Sequence, residues 1–184
     1  RGCRIHPTAL VEASVLGEGC EIGAHAIVRA SVLGSGVTVE DGAHVHACIL
    51  GPQSRIGRQT AAFASVLMES AHSTQQLMQV SVLGRHAATT SSSWFLDARL
   101  DGSNVRVESP SGLLDAGTRF LGCDVGHCTV VGAGVLVAPG RLLPSNATVV
   151  VDPRQVASKL DSELSADDAG GAVLAVRNGR LESL

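Results

Sequence analysis

Three histidines, His72, His86 and His127, stand where an imidazole could work as a base. Such a group needs only hydrogen-bond reach to an amine or hydroxyl and a titration range near neutrality. His72 lies in the polar segment Glu69 to Val80, and His86 follows the glycine of Ser81-Val82-Leu83-Gly84. His127 lies in Val125-Gly126-His127-Cys128-Thr129-Val130-Val131-Gly132. Arg99, Arg106 and Arg119 are cations suited to phosphate oxygens, although a lone surface arginine is equally satisfied by water. Asp97, Asp101 and the chain's one tryptophan, Trp94, share the polar stretch that begins at Thr89. Trp94 and Phe95 either serve a site there or plug a gap between coils or at a subunit interface. No spacing of His or Cys marks a metal centre, so no metal is expected.

What must position these residues is a repeat. Ser14-Val15-Leu16-Gly17 recurs at Ser31-Val32-Leu33-Gly34, Cys48-Ile49-Leu50-Gly51, Ser65-Val66-Leu67-Met68 and Ser81-Val82-Leu83-Gly84. The first four copies are 17 residues apart and the fifth follows after 16. A finer step of five or six runs through Leu16, Ile22, Val28, Leu33, Val39, Val45, Leu50 and Ile56, then through Val125, Val131, Val137, Leu143 and Val149. Two positions before each aliphatic residue of the first run stands Ser14, Cys20, Ala26, Ser31, Val37, Ala43, Cys48 or Ser54. Neither a helical period of 3.6 nor simple alternation accounts for a step near six. A triangular coil does: each face is a short strand with one aliphatic and one small residue inside, and each corner turns on Gly or a polar residue. The expected fold is therefore all-β, a parallel β-helix with coils of about 17–18 residues.

Composition agrees. With 45% hydrophobic residues but only 2% aromatic and no tyrosine, the chain suits a narrow interior of many similar layers. A net charge of -3 gives no reason to expect nucleic acid or a membrane surface as partner. Cys3, Cys20, Cys48 and Cys123 fall in the small inward slot and read as packing, whereas Cys128 is off register. Five cysteines in a chain too large to need staples point to reduced thiols and a cytoplasmic setting. His44 and His46 flank the inward Val45 and are expected to face out.

The β-helix is expected over residues 1–152, with irregular insertions at about 69–80 and 86–124. Residues 153–184 are expected to form a cap, with a short helix over 154–165 and a hairpin turning on Asn178-Gly179.

Over residues 4–152 the pattern resembles the hexapeptide-repeat transferase superfamily. Within it, the chain is similar to the C-terminal lobe of bifunctional N-acetylglucosamine-1-phosphate uridyltransferase/glucosamine-1-phosphate acetyltransferase and related sugar nucleotidyltransferases. Ser81-Val82-Leu83-Gly84, Asp101-Gly102-Ser103-Asn104-Val105-Arg106-Val107, Leu114 to Gly122 and Ala138-Pro139-Gly140 carry the resemblance. It implies a left-handed coil, a homotrimer, acetyl-CoA or another acyl-CoA as donor, and a sugar or sugar phosphate as acceptor. It also implies a catalytic histidine shortly before the Ser-Val-Leu-Gly segment. Ungapped, that position is Thr74, two residues from His72. Thr90-Ser91-Ser92 replaces the family's Gly-Ala-Gly near the acyl donor, and Asp97 replaces its loop Asn. Two readings follow: an acyl-CoA-dependent acyltransferase module, or a non-catalytic oligomerisation or regulatory lobe of a sugar-1-phosphate nucleotidyltransferase. No Gly-rich phosphate loop precedes the coil, so this chain alone is not expected to transfer nucleotides.

Overall fold

A computed structural model describes residues 2–155, 174–177 and 180–183. Residues up to Val149 form one compact unit, and a second begins at Val150. The first unit is a left-handed parallel β-helix with three faces. The first face stacks eight strands, from Arg4–Ile5 to Thr148–Val149. The second stacks five, from Leu10–Glu12 to Leu77–Gln79, and Trp94–Phe95 and Leu136–Val137 continue it. The third stacks seven, from Val15–Leu16 to Leu142–Leu143.

The register matches the expected one. Ile22, Val28, Leu33, Val39, Val45, Leu50 and Ile56 are buried, as are Cys20, Ala26, Ser31, Val37, Ala43, Cys48 and Ser54. Burial pushes the Cys20 and Cys48 thiols above their ordinary range, as inert packing groups should behave. Cys128 is exposed, and so are His44 and His46 around buried Val45.

The 17-residue coil is short at one corner, the edge between the second and third faces. There Ala13, Ala30, Ala47, Ala64 and Val80 each turn the chain with a positive φ, between 46° and 55°. The serine that follows is more than a small filler. Ser31 Oγ donates to the Arg29 carbonyl at 2.7 Å and accepts the Cys48 N–H at 3.0 Å. Ser81 repeats this with the Gln79 carbonyl and the Cys123 N–H. Each hydroxyl closes its own tight corner and ties it to the next coil, which keeps buried backbone groups paired.

Two expected boundaries are corrected. Residues 69–80 do not interrupt the coil: His72–Ser73 pairs with Arg55–Ile56 and with Ala88–Thr89, and Leu77–Gln79 pairs with Ala61–Phe63. The polar residues misled because some of them go inside. Gln75 is fully buried, and its Oε1 accepts from Ser93 Oγ at 3.3 Å, its side chain filling a corner one residue short. The second insertion is smaller than 86–124, because Ala88–Thr89 and Trp94–Phe95 are regular strands. The true excursion is residues 96–123.

In the second unit Pro153–Gln155 is a single 3-10 turn, and the rest of the helix expected over 154–165 lies outside the described residues. The expected hairpin is present as antiparallel Leu174–Arg177 and Arg180–Ser183.

Candidate functional site

The excursion leaves the edge between the second and third faces, and its own backbone closes it. Arg106–Ser109 and Gly112–Asp115 form an antiparallel hairpin. Val105 is fully buried beneath it, its N–H donating to the Thr118 carbonyl and its carbonyl accepting the Ala116 N–H. Leu121 N–H donates to the Asp97 carbonyl at 2.8 Å, which cinches the base of the loop. The chain re-enters the coil through Gly122, whose N–H donates to the Val80 carbonyl at 3.0 Å. A Cβ at Gly122 would stand 2.1 Å from both the Gln79 carbonyl oxygen and Ser81 Oγ, so only glycine passes there.

One pair of loop charges, Arg99 and Asp101, is spent on itself. Arg99 grips Asp101 at 2.7 and 3.2 Å, and Asp101 also accepts from the Ser103 N–H and hydroxyl. That cluster holds the Asp101 carboxyl well below the usual carboxylate range, the Arg99 hydrogen bond being the main cause. Arg106 is exposed, and its carbonyl accepts from Arg141 Nη1 at 2.9 Å. Arg119 is exposed and Asp97 half-buried. Trp94 projects outward from the second face at 42% exposure, beside Leu136.

Two hollows flank the loop. One, of about 360 Å³, lies open between Leu96, Ala98, Arg99, Leu100, Asp101 and Pro139. The other, of about 150 Å³, lies between the hairpin and the third face, with Glu108, Asp124 and Arg141 as its charged lining. Desolvation lifts the Asp124 carboxyl above its ordinary range. Sequence reasoning passed over Asp124 and Arg141. The available signal was the outward slot of the third face, which holds Val15, Val32, Ile49, Val66 and Val82 before it holds Asp124.

The histidines stand elsewhere. His86 and His127 occupy the edge between the third and first faces, and His72 is on the first face just past that edge. All three are exposed. His127 Nδ1 accepts the backbone N–H of Arg85 at 2.9 Å, and an amide can only donate, so this nitrogen carries the lone pair. In the neutral ring the proton then sits on Nε2, the nitrogen free to meet a substrate, where a general base would need a lone pair. His72 and His86 have no side-chain hydrogen bond among the described residues. Within one chain the structure thus gathers Trp94, Asp97, Arg99, Asp101, Arg106 and Arg119 around one edge and the histidines around another, with the third face between them.

No curated protein sequence matches the chain. Among solved structures it is similar to a mutant of GDP-perosamine N-acetyltransferase from Caulobacter crescentus, in complex with CoA and GDP-perosamine. Identity is 24%, over 79% of this chain and 51% of that one, with a TM-score of 0.38. It is also similar to the acetyltransferase domain of PglB from Neisseria gonorrhoeae in complex with acetyl coenzyme A. There identity is 21%, over 79% and 56% of the two chains, with a TM-score of 0.33. The chain thus spans about half the length of these structures. The family model of the GMPPB C-terminal domain matches residues 1–94, more than half of the sequence, and the chain belongs to that family.

Proposed function

We propose that this chain is a non-catalytic assembly and regulatory lobe of a sugar-1-phosphate nucleotidyltransferase. One observation carries the reading. The groups that would bind a sugar phosphate and the groups that would take its proton lie on different edges of the prism, and no single chain brings them to one point. Two further facts support it. His127 offers a proton rather than a lone pair outward, and Arg99 is already committed to Asp101. Family membership agrees, since the match is to a C-terminal domain. The test is calorimetric titration of the chain with acetyl-CoA up to millimolar concentration, beside a His72→Ala variant. The expected result is no saturable heat from either protein. Saturable binding at one site per chain overturns the reading.

A second reading, acyl-CoA-dependent acetylation of a sugar or sugar phosphate, is favoured by one feature. The loop and the histidines flank the same face, so copies arranged in parallel around a threefold axis would set one copy's loop edge beside its neighbour's histidine edge. In such a homotrimer His72 or His86 would serve as base, and backbone N–H groups would stabilise the oxyanion. This reading requires a trimeric native mass together with acetyl-CoA binding.

A further inference from the structure

The three edges of the prism differ in what they place at the left-handed corner position. The edge between the first and second faces uses His25, Gly42, Gln59, Ser92 and Gly134. The edge between the third and first uses Gly19, Gly36, Gln53, Ser70, His86, Cys128 and Asn146. The remaining edge uses alanine four times running, Ala13, Ala30, Ala47 and Ala64, then Val80 and, after the excursion, Gly140. A left-handed conformation strains a residue that carries a Cβ, a strain that glycine escapes. The four alanines are exposed, so their methyls gain little packing within the chain to offset that cost. Beside them runs the outward row of the third face, with Val15 at 63%, Val32 at 50% and Ile49 at 56% exposure, then half-buried Val66 and Val82. The result is a continuous apolar strip five coils long on a flat parallel sheet, of the kind that marks an interaction surface.

We infer that this strip is the seat of a second copy of the chain, packed antiparallel about a twofold axis through Ile49. The inference rests on the assembly-lobe reading and names its interface. A flat ladder with one row per coil, about 4.8 Å apart, is matched by another ladder of the same spacing. In the antiparallel arrangement Ile49 meets the partner's Ile49, Val32 meets the partner's Val66, and Val15 meets the partner's Val82. The bordering charges select this orientation. Along the next edge runs the row Glu18, Ser35, Pro52, Glu69 and Arg85, each carbonyl accepting an N–H from the following coil. A twofold axis lying in the contact plane and crossing the coil axis brings this row against its own copy, reversed. Glu18 then faces the partner's Arg85, and Arg85 faces the partner's Glu18. Neither forms an ion pair among the described residues, whereas Arg4, Arg29 and Arg55 are each paired to a glutamate within the chain. A parallel pairing would instead set this row against the alanine edge and leave both charges unmatched.

Sedimentation equilibrium of the full chain tests the proposal, with circular dichroism confirming the fold of each variant. The wild type is expected to be a dimer. Ile49→Arg should stay folded and weaken dimerisation by about 30-fold or more, as for a central anchor. Glu18→Arg alone and Arg85→Glu alone should each weaken it, and the two together should restore it. A monomer, a trimer, or a dimer indifferent to Ile49→Arg overturns the interface. Loss with the double exchange as severe as with either single one overturns the antiparallel register. These outcomes are independent of acetyl-CoA binding, which alone tests the functional reading.

Discussion

The N–H of Arg85 donates to Nδ1 of His127 at 2.9 Å, joining two positions 42 residues apart in sequence and one coil apart in space. The loop at 96–123 separates them in the chain, so this bond ties the coil before the excursion to the coil after it. The Cys128 N–H returns the contact, donating to the Arg85 carbonyl at 2.8 Å.

Removing the ring should therefore cost stability rather than chemistry. His127→Ala is expected to destabilise the chain by about 1 kcal/mol, the usual net worth of such a bond. Thermal denaturation gives the magnitude, and faster hydrogen exchange at the Arg85 amide gives the location. An unchanged Arg85 amide would disprove the structural role.

Gly122 is the narrowest point of the excursion. Gly122→Ala forces a methyl against the Gln79 carbonyl oxygen and Ser81 Oγ, and overpacking of this kind costs about 1–3 kcal/mol. The loop should become sensitive to limited proteolysis between residues 96 and 121 while the earlier coils keep their protection. Cleavage no faster than in the wild type would show that the backbone yields there cheaply.

Asp124 gives the acid limb a sign opposite to the common one. Desolvation raises its folded carboxyl above the ordinary 3.8, so in the window between the two values the folded chain binds more protons than the unfolded one. Its contribution to stability therefore falls as pH rises through that window. Asp124→Asn should melt higher than the wild type at pH 7, and the advantage should vanish below about pH 3.8, the ordinary value. A variant less stable at pH 7 would show that the carboxylate is held by a partner.

Cys123 acts at the alkaline end. Burial pushes its thiol up to about 11 from an ordinary 9.0. Its contribution is fully present below pH 9 and is lost as pH rises toward 11, because the unfolded thiol ionises first. The melting temperature should drop across that interval, and Cys123→Ser should flatten the drop. An identical pH profile in the variant would place the alkaline transition elsewhere.

Much of this architecture was readable from Ser14-Val15-Leu16-Gly17 and its echoes, because a solenoid repeats one local solution and periodicity exposes it. The inward slots from Cys20 to Ile56 follow directly, as do the outward His44 and His46. Reading failed where a polar residue did an apolar residue's work. Gln75 looked like a break, yet its side chain fills a short corner; Ser31 and Ser81 looked like fillers, yet they bind successive coils. The site was less legible still. Proximity in sequence grouped His86 with Trp94 and Arg99, but a prism sends neighbouring segments to different edges. Only the placement of the corners separates the histidines from the loop. Asp124 was visible as a charge in a valine slot, but its hollow exists only because the hairpin at 106–115 folds back over it.

The central claim is that no acyl-donor site joins the histidine edge to the loop edge. Hydrogen–deuterium exchange of the full chain, with and without millimolar acetyl-CoA, tests it most directly. The expected result is unchanged protection at residues 84–87, at 126–129 and throughout 96–123. Joint protection of the loop and the histidine edge on adding acetyl-CoA would contradict the account and establish a donor site spanning the two.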